Sequence, residues 1–302
     1  MSHITEKTFS TYNQEQGKVY AQTRRDYHPS VYQAVIGHHT STGGQLDTLL
    51  DVGCGPGNVA RALAPHFAHA IGIDPSEGMI ATARSLGGVT STSEPIQFEV
   101  STAEELSPVA DSSVDLIAAG NAAHWFDMPR FWAAAARVLK PGGSVALWTT
   151  GDIRAHPSVS NAAAIQDAME EHHRQLEPYY LPGNFLVRNR YKDLPLPWTL
   201  PKPVSELDES TFFRKDWNDD DEQFFEGLPE ADLDTFEKMM ATGSAQTRWR
   251  QAHPDDVGTE RDVIRILRRR VEGLMREAGV EEGKDVVKGT VLGTVLVVKK
   301  KV

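Results

Sequence analysis

The stretch Leu49-Leu50-Asp51-Val52-Gly53-Cys54-Gly55-Pro56-Gly57 decides the fold. An apolar run entering G-x-G-x-G reads as a buried strand that ends in a tight turn. Glycines there let backbone approach a ligand closely, and the turn aims the N-terminus of the next helix at it. Asp74 falls twenty-one residues after Gly53, at the end of a second apolar run. A carboxylate in that position can accept hydrogen bonds from both hydroxyls of a ribose. The third glycine stands at 57, whereas a dinucleotide fingerprint wants glycine or alanine at 58, where this chain has Asn58; no G-K-[ST] follows either. The spacing therefore suits a ligand with an adenosine but no phosphate, its amino-acid end against the turn. A glycine turn beside a helix-capping aspartate is the plainer alternative, but it leaves the coincidence of strand, glycines and acid unexplained.

Outward from that turn, short apolar runs alternate with helical patterns, as a parallel sheet covered by helices requires. Strands are expected at Thr48 to Val52, Ala70 to Ile73, Ile96 to Val100, Val114 to Ala119 and Ser144 to Trp148. Helices are expected at Asn58 to Pro65, at Ser76 to Leu86 with Ser76 as cap, and at Met128 to Leu139, which Lys140-Pro141-Gly142-Gly143 ends. Val257 to Ala278 reads as a further helix and Val291 to Val298 as a last strand. The expected architecture is one α/β domain over 1–302. It has a seven-stranded, mainly parallel sheet with helices on both faces and a late antiparallel pair. Residues 1–45, with Tyr12, Tyr20, Tyr27 and Tyr32, form a helical cap, and 46–150 the ligand-binding core. Residues 151–250, which carry eight of the 17 prolines, read as an inserted lid without a second core, and 251–302 complete the sheet.

Composition narrows the partners. The 302 residues carry 31 Lys plus Arg against 42 Asp plus Glu, a net charge of −11, which disfavours nucleic acid and anionic membranes. With 40% hydrophobic and 24% charged residues the chain can bury a core. No apolar run reaches the roughly 18 residues of a membrane span, and MSHITEKTFS is no signal peptide, so an intracellular, cytoplasmic protein is expected. The single cysteine, Cys54, excludes an intrachain disulfide and a Cys-built zinc site. Asn218-Asp219-Asp220-Asp221-Glu222 reads as a solvated loop or helix start.

Taken together, Asp51 to Gly57, Gly72-Ile73-Asp74-Pro75-Ser76, Ala103-Glu104-Glu105-Leu106, Val114-Asp115-Leu116-Ile117 and Arg137 to Gly143 resemble the class I S-adenosylmethionine-dependent methyltransferases, over about residues 1 to 150. The resemblance implies a Rossmann-like fold and S-adenosyl-L-methionine as cofactor. It puts the methionine part on the glycine turn, the ribose on Asp74, and the adenine near Met79 with Thr102 and Ala103 at its polar edge. The expected cofactor contacts are Tyr20, Arg24, Asp51, Gly53, Cys54, Gly55, Gly57, Asp74, Pro75, Met79, Thr102, Ala103 and Asn121. Many relatives carry aspartate where Thr102 stands and glutamine where Asn121 stands. A narrower likeness, to the trans-aconitate methyltransferase-like branch with its fungal enzymes, rests on Tyr20 to Pro29, Asn121-Ala122-Ala123-His124-Trp125-Phe126-Asp127 and Ser244 to His253. It implies a small-molecule O-methyltransferase, of the kind found in secondary metabolism.

Methyl transfer from a sulfonium is an in-line displacement that needs alignment and exclusion of water, and no metal. A carboxylate acceptor is already ionised and needs no base, whereas a hydroxyl must lose a proton. His124 is open to three roles: base, hydrogen-bond donor to the acceptor, or a histidine that fixes its loop. Trp125 and Phe126 are candidates for the pocket wall or for core. For a carboxylate, an arginine clamp is suitable. The lid offers Arg188, Arg190, Arg214, Arg248 and Arg250, among Tyr179, Tyr180, Trp198, Trp217 and Trp249, and the expected acceptor contacts are Trp125, Arg188, Arg190, Arg248 and Trp249. Glu170 and His173 make one i, i+3 pair that resembles half of a di-iron site; with no second pair they read as a solvated face. The expected function is methyl transfer to a carboxylate oxygen of a small molecule. A hydroxyl acceptor, a cofactor-retaining cyclase and a cofactor-sensing regulator are the alternatives.

Overall fold

A computed structural model describes residues 13–23, 25–218, 223–226 and 230–302. Tyr12, Arg24 and the acidic positions 219–222 lie outside the described residues. The strands are β1 (Thr48–Val52), β2 (His69–Asp74), β3 (Gln97–Val100), β4 (Val114–Gly120), β5 (Leu139–Ala155), β6 (Leu207–Trp217), β7 (Glu230–Asp232) and β8 (Val286–Lys300). The helices are α1 (Gln14–Thr23), α2 (Pro29–Ser41), α3 (Asn58–Leu63), α4 (Glu77–Leu86), α5 (Met128–Val138), α6 (Ala162–Leu176), α7 (Pro182–Arg188), α8 (Leu233–Met240), α9 (Ser244–Ala252) and α10 (Val263–Glu277).

β1 is apolar on both faces because both are covered. Leu50 and Val52 pack with Ile117, Phe131 and Trp132 on one side, while Leu49 packs with Val31, Val35, Leu63 and Phe67 on the other. The sheet order is β3-β2-β1-β4-β5-β8-β6, with β7 paired to β8 off that path. β1 to β5 run parallel, and β8 enters antiparallel between β5 and β6. The order reverses at β1, whose neighbours are β2 and β4. The C-terminal ends of these strands therefore leave a crevice, the usual place for a ligand in an open sheet.

The structure departs from the sequence reading in its second half. β5 runs on to Ala155 and β8 begins at Val286 because the two pair from Ser144↔Lys299 to Ala155↔Gly289. α10 begins at Val263, since Gly258 sits at φ +72° and Asp262 caps the helix by accepting from Ile264 N. Residues 151–250 are more than a lid. They supply β6, the sheet edge, and α6, which packs Ile165 and Met169 on Leu267, Val271 and Leu274 of α10 in an apolar cluster of its own. Among the described residues no helix is long and apolar enough to cross a membrane.

Candidate functional site

The turn after β1 is held by the carboxylate at the end of β2. Gly55 N donates to Asp74 Oδ2 at 2.9 Å and Ser76 N donates to Asp74 Oδ1 at 2.9 Å. Burial pushes the Asp74 carboxyl up to about 6, against the pull of these two N–H groups. Gly53 has φ +66°, and a Cβ there would meet the Ala122 Cβ at 2.7 Å, so the turn and the loop after β4 are packed too closely for a side chain. Gly55, at φ +52°, has nothing within 4 Å of an added Cβ. Its open side faces a cavity of about 440 Å³.

Four groups of elements wall this cavity. The β1 turn, the β2 end and α4 contribute Gly53, Cys54, Gly55, Asp74, Pro75 and Met79, and the loop after β3 contributes Thr102, Ala103 and Glu104. The loop after β4 adds Asn121, His124, Trp125 and Phe126; the remaining lining includes Tyr20, Arg25 to Tyr27 with Phe225, and Asn184, Val187 and Ser244. Of the expected cofactor contacts, Asp51 and Gly57 do not line the cavity, and Arg24 is outside the described residues. Asp51 lies beneath the turn. Its Oδ2 accepts from Ala60 N in the first turn of α3 at 2.9 Å while Oδ1 is buried without a partner, and burial, with the Asp74 charge adding, pushes it up to about 8. Cys54 is buried, which pushes its thiol up as well.

The loop after β4 is fixed from behind. Asn121 adopts φ +51°, and its Oδ1 accepts from Thr150 N and from Thr149 Oγ1, both at 2.9 Å. Asp127 N donates to Glu104 Oε1 at 2.8 Å, tying this loop to the one after β3. His124 Nδ1 lies 3.0 Å from the hydroxyl of Tyr191, a fully enclosed side chain that the sequence reading missed.

The arginine clamp expected from the lid does not form at this cavity: none of the five arginines lines it. Arg188 donates to Asp152 at 3.0 Å and lies over the Tyr180 ring; Arg190 donates to Asn218 Oδ1 at 2.8 Å. Arg214 pairs with Asp216 and Arg250 with the buried Asp262. Arg248 donates to Tyr179 O and Asn184 Oδ1, each at 2.7 Å, so it stands one hydrogen bond behind the wall. Trp249 stacks on His253 away from the cavity. The reason is common to all five. A half-buried guanidinium takes the nearest oxygens of its own fold, because leaving its charge unpaired there is costly. Glu170 and His173, read as solvated, instead face the Arg188 and Asp152 pair. Among the described residues Arg25 is the cavity's lysine or arginine, and burial lowers its pKa. It donates to Glu226 O, beside an antiparallel bridge between Tyr27 and Phe225, whose rings stack at 5.1 Å. His28 N→Phe224 O and Glu226 N→Asp26 O complete that seam, and Asn58 Nδ2→Asp26 Oδ1 joins it to the glycine turn. Residues 25 to 28 and 224 to 226 carry no local signal that they pair across some 200 positions.

An open sheet that reverses order beside a glycine turn, with a carboxylate at the neighbouring strand end, defines a nucleoside-binding α/β domain. Residues 50–147 match the family model for the methyltransferase domain. A Dictyostelium discoideum protein described as a methyltransferase is 28% identical over 179 residues, 59% of this chain and 62% of its own length. A Saccharomyces cerevisiae protein described as an S-adenosylmethionine-dependent methyltransferase is 30% identical over 129 residues, 43% of each chain. A methyltransferase of Aspergillus aculeatus is 33% identical over 136 residues, 44% of this chain and 43% of that protein. The chain thus spans about half the length of the curated relatives it matches. A solved structure from Anaeromyxobacter dehalogenans, described as a type II methyltransferase, has the same fold, with a TM-score of 0.58 at 22% identity over 92% of this chain and 97% of that one. Residues 50–147 thus resemble a methyltransferase domain in a chain of that fold, and the Saccharomyces cerevisiae relative is described as dependent on the cofactor S-adenosylmethionine. The site has the features that cofactor would need: the side-chain-free face of Gly55 could cradle it, and the Asp74 carboxylate could accept from its ribose hydroxyls.

Proposed function

We propose that this chain transfers the methyl group of S-adenosylmethionine to an oxygen of a small organic acceptor. One observation carries the reading: the Asp74 carboxylate and the Gly55 turn share a single cavity with His124, Trp125 and the seam of residues 25 to 27 with 225. When bound, the sulfonium supplies an electrophilic methyl group. The chain's task is to align the acceptor with it and keep water out, which position alone can accelerate by several orders of magnitude. Asp74 would accept from the ribose hydroxyls with the lone pairs left by Gly55 N and Ser76 N. Tyr27, Phe225, Trp125 and Phe126 offer the acceptor an apolar surface, and Arg25, Asn184 and Ser244 offer polar contacts. A cyclase would be better served by a poorly polar pocket, so these polar groups favour methyl transfer. The acidic net charge supports a small molecule over nucleic acid or an anionic membrane as partner.

Incubation of the wild-type protein and Asp74→Ala with methyl-labelled S-adenosylmethionine and a metabolite extract tests this. A labelled small product that depends on Asp74 is the expected result. A protein that binds the cofactor and labels nothing would overturn the reading in favour of a regulator or cyclase.

A further inference from the structure

His124 belongs to the cavity wall, and its Nδ1 lies 3.0 Å from the hydroxyl of Tyr191, which does not line the cavity. Which of the two groups donates decides what the histidine can do. Tyr191 is 2% exposed, so its phenol proton needs an acceptor inside the protein. His124 Nδ1 supplies one. The reverse arrangement, with Nδ1–H donating, would use the phenol oxygen and send its proton to the Thr149 hydroxyl, the other acceptor beside it. The surroundings of the phenol oxygen argue for the first arrangement. Backbone N–H groups of Ala123 and His124, at the start of a single 3₁₀ turn with no intrahelical partners, face it, and an N–H can only donate. The placement of Tyr191 is also built at a cost. Arg190 and Tyr191 both sit in the left-handed region, at φ +55° and +57°, and Arg214 holds the Arg190 carbonyl at 2.9 Å. Two lid arginines expected to clamp substrate thus shape the turn that aims Tyr191.

We propose that Tyr191 is a positioning residue that holds His124 as the neutral Nε2–H tautomer, so that His124 gives a hydrogen bond to the acceptor oxygen and is not its base. The inference rests on the methyl-transfer reading for the identity of the acceptor, whereas the tautomer is argued from the groups around the Tyr191 hydroxyl. With Nε2 already protonated, the ring has no lone pair for an acceptor proton. Such a ring suits an acceptor oxygen already ionised at neutral pH. Its lone pair forms the O–CH₃ bond as the C–S bond breaks and that electron pair passes to sulfur; the oxygen's negative charge and the sulfonium's positive charge cancel, and no proton moves.

The test is the tautomer itself, read from two-bond ¹H–¹⁵N correlations of histidine-labelled protein with S-adenosylhomocysteine bound, with His124→Gln identifying the signal. The expected result is a neutral Nε2–H ring in the wild type and a mixture of tautomers in Tyr191→Phe, which keeps the buried ring. An Nδ1–H ring in the wild type, as when Tyr191 gives its proton to the Thr149 hydroxyl, or a ring protonated at both nitrogens, overturns the proposal. In a second arm, labelled S-adenosylmethionine is supplied with a panel of small carboxylic acids and of unactivated alcohols. Acids should be methylated, with the rate falling about tenfold in Tyr191→Phe, the worth of one hydrogen bond. Alcohols methylated as well as acids would overturn the claim. Failure to methylate any compound would sink the methyl-transfer reading while leaving the tautomer measurement to judge this one.

Discussion

The two walls of the cavity are made by different rules. On the side proposed for the cofactor, most residues stand at the end of a parallel strand or in the loop just after it: Gly53 and Gly55 after β1, Asp74 closing β2, Thr102 to Glu104 after β3, Asn121 after β4. Parallel pairing, Asp51↔Gly72 and Val52↔Ile73, brings these ends into line. On the side proposed for the acceptor, the wall is assembled from pieces far apart in sequence, Arg25 to Tyr27 against Phe224 to Glu226, and Tyr191 behind His124. What differs is the source of position. In the first wall backbone register sets it; in the second, which charged or aromatic side chain finds which partner sets it.

The comparison breaks most sharply at Gly55. Gly55→Val places a side chain in open space, so the fold should survive with about 1 to 2 kcal/mol of strain at positive φ, while calorimetry with S-adenosylhomocysteine should find no binding. Normal binding in a folded variant would mean that the turn serves something else. Next in size is Asp74→Ala, which should weaken both S-adenosylmethionine and its demethylated product by about 2 to 4 kcal/mol, the value of two hydrogen bonds to a carboxylate.

A smaller effect follows from burial of the same carboxyl. Its pKa stands at about 6 in the free protein, and ribose hydroxyls need the ionised form, so affinity is full above pH 7 and declines as pH falls through 6. Titrations should show about a tenfold loss between pH 7 and pH 5. A flat profile would remove Asp74 from the ribose. The smallest effect should come from the other wall. Arg188→Ala strips Asp152 of its partner and should lower stability by about 1 kcal/mol, seen in denaturant midpoints, with cofactor affinity unchanged. If acceptor KM rose instead and stability held, Arg188 would be a clamp after all, and the contrast between the two walls would fail.

Legibility followed the same divide. The boundaries of β1 and α4 are those expected from apolar runs, glycine breakers and the Ser76 cap, which accepts from Met79 N, and β2 is one residue longer at each end. Leu207–Trp217 escaped notice because β6 is an edge strand whose residues are largely half-exposed, so it lacks the continuous apolar run of β1. The start of α10 was misread because Val257 fits an apolar pattern, although it is exposed and Gly258 breaks the backbone after it. Arginines gathered among the lid aromatics suggest a clamp, but Asp152, Asp216 and Asp262 of the same sequence take Arg188, Arg214 and Arg250.

By itself the sequence determined the doubly wound core, the glycine turn and Asp74 as its companion acid, since period, breaker residues and fixed spacing act over a few neighbouring positions. Only the tertiary structure decided that Asp51 lies under the turn and not on the cavity, that Arg25 faces the cavity and the lid arginines do not, and that His124 rests on Tyr191. Those outcomes depend on which buried polar group reaches which partner first, and the cost of leaving a charge or a donor unpaired is settled only when distant segments have packed.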